Sequence, residues 1–465
     1  MLRPAILFLL LVLPVFAEDK PLTRIVFASC SDQDKPLPIF DKIADLKPEL
    51  YIAMGDNIYA DIKPEKGLEE MASMKKKYEK LAALPGWQRL VKTCPMLATW
   101  DDHDYGKNDL GVEYPHKDES QQIFLDFFNV PKDSPRRTQK GVYNSQVIGP
   151  AGKRVQIILL DLRYFRSKLK KAEKPLPGTR IVPYLPVTDP DATMLGAEQW
   201  KWLEEQLKQP ADLRLLVSSI QVVSDEHPHE KWTNIPAERE KLYKLIRDTK
   251  AKGVVVLSGD RHLAEISMEP KAIGYPLYDV TSSGLNQATK GWRAPTEPNS
   301  KRIGVMSHGD NFGMMTIDWA GEFTKLSLQI RDIDGEITLK ETLPLDLLAP
   351  SSAATAELPF KPREGAISPR DALKKVGEKV VIEMKVQATG QAKGGTRLFL
   401  NSEKDFKSDL NFTVVLNPAG MKGKWEKATG DTFKNKVIRV TGTVSKFRDA
   451  PQIEVNDEKQ IEFIE

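Results

Sequence analysis

The chain has 465 residues, and its 68 lysines and arginines nearly balance 65 aspartates and glutamates, leaving a formal net charge of +3. Charge so balanced argues against nucleic acid as a dedicated partner, and a hydrophobic content of 40% supplies real cores, which excludes wholesale disorder. Two cysteines exclude a disulfide-rich scaffold and a four-cysteine zinc site, and the length fits two or three domains.

Met1-Leu2-Arg3-Pro4 precedes an apolar run from Ala5 to Phe16 that exits through Val15-Phe16-Ala17. One positive charge, a short apolar core and a small residue at the exit make residues 1–17 a secretory leader. Cleavage after Ala17 then starts the mature chain at Glu18. The product is expected to be exported, to a periplasm or the medium, without a membrane anchor: the run falls short of the roughly 18 residues of a membrane span.

From Thr23 to about Leu348 strand and helix patterns alternate, which defines a first domain over residues 18–348. Strand-like runs occupy Arg24–Ser29, Leu50–Met54, Met96–Thr99, Val155–Asp161, Leu213–Ser218 and Val254–Ser258. Between them, Ile39, Phe40, Ile43 and Leu46 share one helical face, as do Trp200, Leu203 and Leu207, and Leu242, Leu245 and Ile246 after Pro236. Alternation of this kind predicts an α/β core. Later runs at Leu277–Thr281, Met314–Trp319 and Lys325–Leu339 read as strands, the last turning at Asp334-Gly335. Residues 349–369 read as a linker. Residues 370–465 follow as a small all-β domain, with runs at Val380–Ala388, Arg397–Leu400, Asn411–Leu416, Val437–Val444 and Gln452–Val455 and a polar segment at Ala419–Asn435. That order suits an OB-like barrel.

Four chemically dense segments each follow a predicted strand: Ser29-Cys30-Ser31-Asp32, Gly55-Asp56-Asn57-Ile58-Tyr59-Ala60-Asp61, Trp100-Asp101-Asp102-His103-Asp104 with Asn108, and Gly259-Asp260-Arg261-His262. Ligands in open α/β sheets bind outside the carboxyl ends of strands. Carboxylates gathered there repel one another unless metal ions intervene. Each segment alone also reads as an acidic turn, and Asp260 with His262 as one face of an edge strand; their joint occurrence carries the metal reading. The two cysteines are expected at opposite ends of parallel strands, roughly 15–20 Å apart, too far for a disulfide. Arg163 and Arg166 follow a strand, where an arginine either clamps a phosphate or pairs with a carboxylate. His227, His229 and Trp232 lie in a long polar loop, at the rim of a pocket or simply on the surface.

These segments resemble the PhoD-type alkaline phosphatases of the metallophosphoesterase superfamily. The resemblance runs from Thr23 to Leu348. Besides the four segments it takes in Ala98-Thr99, Tyr105-Gly106, Leu160-Asp161-Leu162-Arg163, Glu230-Lys231-Trp232, Pro236-Ala237-Glu238-Arg239 and Asn311-Phe312-Gly313. It implies a four-layer α/β/β/α sandwich and a metal cluster of ferric iron with calcium, other divalent metals remaining open. It implies a substrate among phosphate mono- or diesters. Cys30, Asp56, Tyr59 and Asp260 match the family's iron ligands, with Asp102, Asn108 and His262 as further ligands or phosphate contacts. The expected reaction is in-line attack on phosphorus by a metal-activated oxide or hydroxide, with His103 stabilising charge or protonating the leaving group and Arg163 as the phosphate clamp. The alternative is an exported polymer-binding protein that uses its C-terminal barrel and carries an inert phosphatase-like body.

Overall fold

The computed structural model describes residues 20–289, 297–307, 309–321 and 323–350. Of residues 362–464 it describes all but 364, 374, 393–396, 404–405, 407–410, 419–420, 422–424, 427 and 448–449. The expected leader at residues 1–17 and most of the expected linker lie outside the described residues. The chain divides into two compact units, Met1–Ala354 and Thr355–Glu465.

The first unit contains fifteen described strands. They are β1 (Arg24–Ala28), β2 (Leu50–Met54), β3 (Met96–Thr99), β4 (Asn144–Ile148), β5 (Val155–Leu159), β6 (Lys170–Lys171), β7 (Tyr184–Leu185) and β8 (Leu213–Ser218), then β9 (Val254–Ser258), β10 (Ala264–Glu269), β11 (Leu277–Ser282), β12 (Arg302–Ser307), β13 (Asn311–Asp318), β14 (Lys325–Asp332) and β15 (Ile337–Pro344). The helices are α1 (Ile39–Asp45), α2 (Glu70–Ala83), α3 (Pro85–Thr93), α4 (Asp102–Tyr105), α5 (Lys117–Phe127), α6 (Gly196–Leu207) and α7 (Pro236–Asp248). Proline opens α3 and α7, where its missing N–H costs nothing.

One sheet has the order β15-β14-β13-β1-β2-β3 and the other β12-β10-β11-β9-β8-β5-β4. In the first, β1, β2 and β3 are parallel neighbours; in the second, β11, β9, β8 and β5 run parallel. The period of two along a strand sorts side chains to opposite faces. On the first sheet Ile25, Phe27, Leu50, Ile52 and Met54 join one apolar core with Ile157, Leu215 and Val256 of the second. Val26, Ala28, Tyr51 and Ala53 face the other way, into a core shared with Phe40 of α1, Met74 of α2, Leu90 of α3 and Phe124 of α5. Both sheets are therefore buried at their parallel centres, which is why these strands read as near-continuous apolar runs.

The second unit holds β16 (Lys379–Lys385), β17 (Ala388–Gln391), β18 (Leu398–Asn401), β19 (Thr413–Leu416), β20 (Val437–Phe447), β21 (Ala450–Val455) and β22 (Ile461–Phe463), with short helices α8 (Pro369–Ala372) and α9 (Gly430–Phe433). Its sheet has the order β16-β20-β21-β19-β18-β17, with β22 on β20. The strands at the two ends of that order are consecutive in the chain, separated only by Val386 and Gln387, so the sheet bends round on itself. Its core includes Ile382, Met384, Leu400, Trp425, Phe433 and Val440. The whole is a mixed α/β fold with an additional C-terminal sheet.

Candidate metal centre

Because β1, β2 and β3 are parallel neighbours, the segments leaving them emerge along one edge. The backbone fastens them together: Ser31 N donates to the Asp56 carbonyl at 2.9 Å, and Ala60 N to the His103 carbonyl at 3.1 Å. The segment after β9 reaches the same place from the second sheet. Gly259 N donates to the Ser219 carbonyl, and a Cβ on Gly259 would lie 2.5 Å from Ser29 Oγ. Gly55 is equally constrained: at φ +106° a Cβ there would meet Asp101 Cβ at 2.6 Å.

The left-handed backbone region, uncommon for residues with a side chain, is occupied by Cys30 (φ 65°), Asp56 (φ 50°), Asp260 (φ 65°), His262 (φ 54°) and Asp109 (φ 59°). Such conformations cost on the order of 1 kcal/mol or more each and persist where the surroundings over-determine them. They also show that Asp260 and His262 do not continue a strand: they sit on a loop between β9 and β10.

Their side chains converge. Cys30 Sγ lies 3.4 Å from Asp56 Oδ2 and 3.1 Å from Ser283 Oγ. Tyr59 Oη lies 3.4 Å from the same Asp56 oxygen and 3.0 Å from His262 Nε2. Four sets of donor atoms each lie within 4.8 Å of one another: Cys30, Asp56 and His262; Asp56, Asp102 and His103; Asp101, Asp102 and Asp260; Asp102, Asp109 and Glu230. Asp56 belongs to two sets and Asp102 to three, so the sets form one continuous cluster. It is graded, with thiol, phenol and imidazole at one end and carboxylates alone at the other.

Burial dominates the electrostatics. It pushes the Cys30 thiol up, with Asp56 adding to the effect, and it pushes the carboxyl groups of Asp56 and Asp260 well above the ordinary range, helped by Asp102 and Asp101 respectively. Burial likewise lifts the Tyr59 phenol, with Cys30 and Asp56 adding to it. Burial brings Asp101 to about 7 despite Arg163, and Asp104 to about 7. Asp102 goes the other way: against burial, His103 and Arg163 hold its carboxyl below the ordinary range. Burial opposes charge on His103, yet Asp102, Asp56 and Asp61 outweigh it and lift the imidazole to about 11. So many buried anions need a cation. Asp101 Oδ2 and Asp102 Oδ1 are buried with no hydrogen-bond partner among the described residues. Unpaired carboxylate oxygens of this kind, beside a thiol and a phenol, fit metal ions.

Of the residues expected at the site, Cys30, Asp56, Tyr59, Asp102, His103, Asp260 and His262 are brought together. Asn108 is exposed, and its backbone N–H donates to Asp61 Oδ2 at 3.1 Å. Arg163 is fully buried in ion pairs, its guanidinium 2.5 Å from Asp101 Oδ1 and 2.7 Å from Glu230 Oε2. That is the carboxylate-pairing alternative. Arg166 lies 3.1 Å from Glu230 Oε1. Both cysteines are free. Cys94 caps α3, far along the fold from the cluster that Cys30 joins.

Several participants were not assigned roles from sequence. Asp61 Oδ1 lies 2.6 Å from His103 Nδ1 and fixes the ring. Asp104 accepts from the backbone N–H groups of Asp56, Asn57 and Asp101, so it positions the loops rather than facing the cluster. Asp101, Asp109 and Glu230 complete the carboxylate end. Asp61, Asp101 and Asp104 lie inside the dense segments that follow β2 and β3. Glu230 sits in an aperiodic loop, and its signal was only the short run around it.

The family model described as PhoD-like phosphatase matches residues 25–272, more than half of the chain. Alkaline phosphatase D of Bacillus subtilis (strain 168) is 22% identical over 285 residues. That alignment takes in 54% of this chain but only 47% of the relative, so the chain spans about half the length of the curated protein it matches. The solved structure titled "Structure of PhoD" superposes with a TM-score of 0.55 over 74% of each chain at 16% identity, a likeness of fold. With a family model matched over more than half of its length, the chain belongs to the PhoD-like phosphatase family.

Proposed function

We propose that the first unit is a metal-dependent phosphoesterase acting on phosphate mono- or diesters. The observation that supports this best is the continuous donor cluster, in which Asp56 and Asp102 are shared and buried carboxylate oxygens stand unpartnered. Cys30, Asp56, Tyr59 and His262 would hold a ferric ion, since thiolate and phenolate favour an oxidisable metal. Asp260, expected from the resemblance among the iron ligands, falls instead in the donor set of Asp101 and Asp102, and these three would hold a hard cation such as calcium. When bound, such ions supply positive charge for phosphate oxygens and an activated nucleophile at neutral pH.

The chain's own groups do the rest. Arg163 neutralises Asp101 and Glu230 and keeps the carboxylate end in register. The Nδ1–H of His103 donates to Asp61, which leaves Nε2–H as a donor toward a phosphate or leaving-group oxygen. Asp61, bonded to Nδ1, favours the cationic imidazole of His103, a charge that would match a developing oxyanion.

The reading includes a four-layer α/β/β/α arrangement of the first unit, an OB-like barrel for the second, and export after cleavage near Glu18. The two-sided burial of the first sheet and the bend between β16 and β17 support the first two. Amino-terminal sequencing of exported protein checks the third, and a retained Met1 contradicts it. For the activity, hydrolysis of p-nitrophenyl phosphate and its bis ester is measured before and after chelation. Turnover is expected, and is expected to vanish with chelator and to fall about 100-fold or more in Asp102→Asn. Turnover undiminished by metal removal rejects the reading.

A further inference from the structure

We propose that a cavity between the β6–β7 hairpin and residues 225–234 is a binding site for a small organic acid, a carboxylate on an apolar body, with Lys231 as its charge partner. The site stands apart from the phosphoesterase reading and does not need it.

Among the described residues two lysines are buried, Lys77 and Lys231. Lys77 pairs with Asp34. Lys231 pairs with no carboxylate among the described residues, and its ammonium makes one hydrogen bond, to the His229 carbonyl at 3.0 Å. An ammonium carries three N–H groups, so two are left over. The acids around it are engaged elsewhere. Glu230 meets Arg163 and Arg166, and Glu297 meets Arg261 at 2.6 Å. Asp225 meets Lys301 at 2.6 Å and Arg239 at 3.1 Å. An exposed lysine needs no partner, because water solvates it. A buried ammonium carries a desolvation cost that only a counter-charge offsets.

Lys231 lines a cavity of about 480 Å³. That is far more than one inorganic ion fills and lies within the usual range for an organic ligand. Five prolines, Leu176 and Tyr184 contribute to the wall, which makes most of it stiff and apolar. Thr233 is on the same wall, and its Oγ1 is buried without a hydrogen-bond partner. Two backbone bonds frame the cavity: Tyr184 N donates to the Pro228 carbonyl at 2.9 Å and Val187 N to the Asn234 carbonyl at 2.7 Å. Charge then selects the ligand. Asp225 and Glu226 also line the cavity. The first is neutralised by Lys301 and Arg239, and the second is exposed, its Oε2 accepting from Ser300 N at 2.7 Å. One uncompensated cation matches one negative charge; a phosphate dianion would leave a charge over beside two acids. A carboxylate would accept from Lys231 and Thr233 while its body covers the prolines.

The test titrates the full-length protein with benzoate, read by ligand-observed NMR, with benzamide as the uncharged probe of the same shape. Benzoate is expected to bind saturably, and benzamide on the order of tenfold or more weakly. Lys231→Met, which keeps length and removes charge, is expected to lose benzoate affinity on the order of tenfold or more. Its urea midpoint is expected to stay level or rise, since the buried ammonium has no partner to lose. Leu176→Trp acts from the partly exposed opposite wall, fills the cavity and is expected to weaken benzoate to a similar degree. Equal benzoate affinity in the parent and either variant overturns the proposal, as benzoate held by a metal ion would give. So does benzamide binding as tightly as benzoate, or no saturable binding of benzoate by the parent. Turnover of p-nitrophenyl phosphate with benzoate present identifies the source of the carboxylate. A raised KM alone assigns it to the substrate, and an unchanged KM to a separate acid; both support the site. A parent that binds benzoate but hydrolyses no phosphate ester refutes the phosphoesterase reading and supports the acid site.

Discussion

Tyr59 touches both Asp56 and His262, and Cys30 touches Asp56. If these four hold ferric iron, the phenolate gives the protein a visible charge-transfer band. Tyr59→Phe is expected to bleach it, with activity falling in Cys30→Ala; a colourless, fully active protein rejects iron at these residues. A second residue-scale prediction concerns Glu49, away from the site. Its carboxylate accepts from Thr23 N at 2.6 Å, Thr23 Oγ1 at 3.0 Å and Arg24 N at 3.1 Å, pinning the start of β1. Burial raises its carboxyl, but the Thr23 and Arg24 bonds outweigh burial and leave it below the ordinary value. A depressed carboxyl contributes stability above its unfolded value near 4.3, and that contribution disappears as pH falls through the folded value. Glu49→Gln is therefore expected to lower urea stability by about 1 kcal/mol at pH 7, with the gap to the parent narrowing as pH falls below the unfolded value. A gap that stays constant with pH contradicts this. The residues of the site were partly legible. Trp100-Asp101-Asp102-His103-Asp104 announced itself by density, but three aspartates in five residues take three different jobs. Asp104 binds backbone, Asp101 binds Arg163 and Ser219, and Asp102 sits in three donor sets. Those jobs depend on the direction each side chain leaves the turn into α4, which no pattern of types records.

Among the elements, the buried parallel strands were the legible ones: Leu50–Met54, Met96–Thr99, Leu213–Ser218 and Val254–Ser258 stand where their apolar runs placed them. The strands not read from sequence were edges or antiparallel partners. β4 has one buried residue in five, and β12 ends the order of its sheet. Helix α2 carries little apolar signal, since 6 of its 14 residues are charged and its buried stripe mixes Met74, Tyr78 and Leu81 with Ser73 and Lys77. Helices α6 and α7 follow the apolar faces of their sequence, but what joins them has no such pattern. Glu238 Oε2 accepts from Thr193 Oγ1 at 2.7 Å, Met194 N at 2.6 Å and Trp200 Nε1 at 2.7 Å, with the residue nearly wholly buried. Removing that acceptor leaves three donors unsatisfied. Glu238→Ala is expected to cost about 2–4 kcal/mol in denaturant unfolding, well above an exposed replacement such as Glu240→Ala. Equal, small losses for both reject this account of the joint.

At the scale of the whole molecule, the split near Ala354 gives each unit its own core, and all donor sets of the metal centre lie in the first. A chain ending at about residue 355 is expected to turn over small phosphate esters at close to the parental rate. A folded truncate that has lost most activity contradicts this. Over 361–465 there are 20 basic and 15 acidic residues, a modest excess that gives the second unit little pull on polyanions of its own.

The donors divide between two sheets: Cys30, Asp56, Tyr59 and Asp102 follow strands of one, Asp260 and His262 a strand of the other. A half-folded chain with only one sheet in place owns half a coordination shell. If the cluster binds metal as proposed, tight uptake is a late event in folding and a signal that both halves have docked. If the metal is iron, tryptophan burial in refolding is expected to precede the visible band, with the lag between them set by the time the two sheets take to meet; a band that rises no later than tryptophan burial contradicts this.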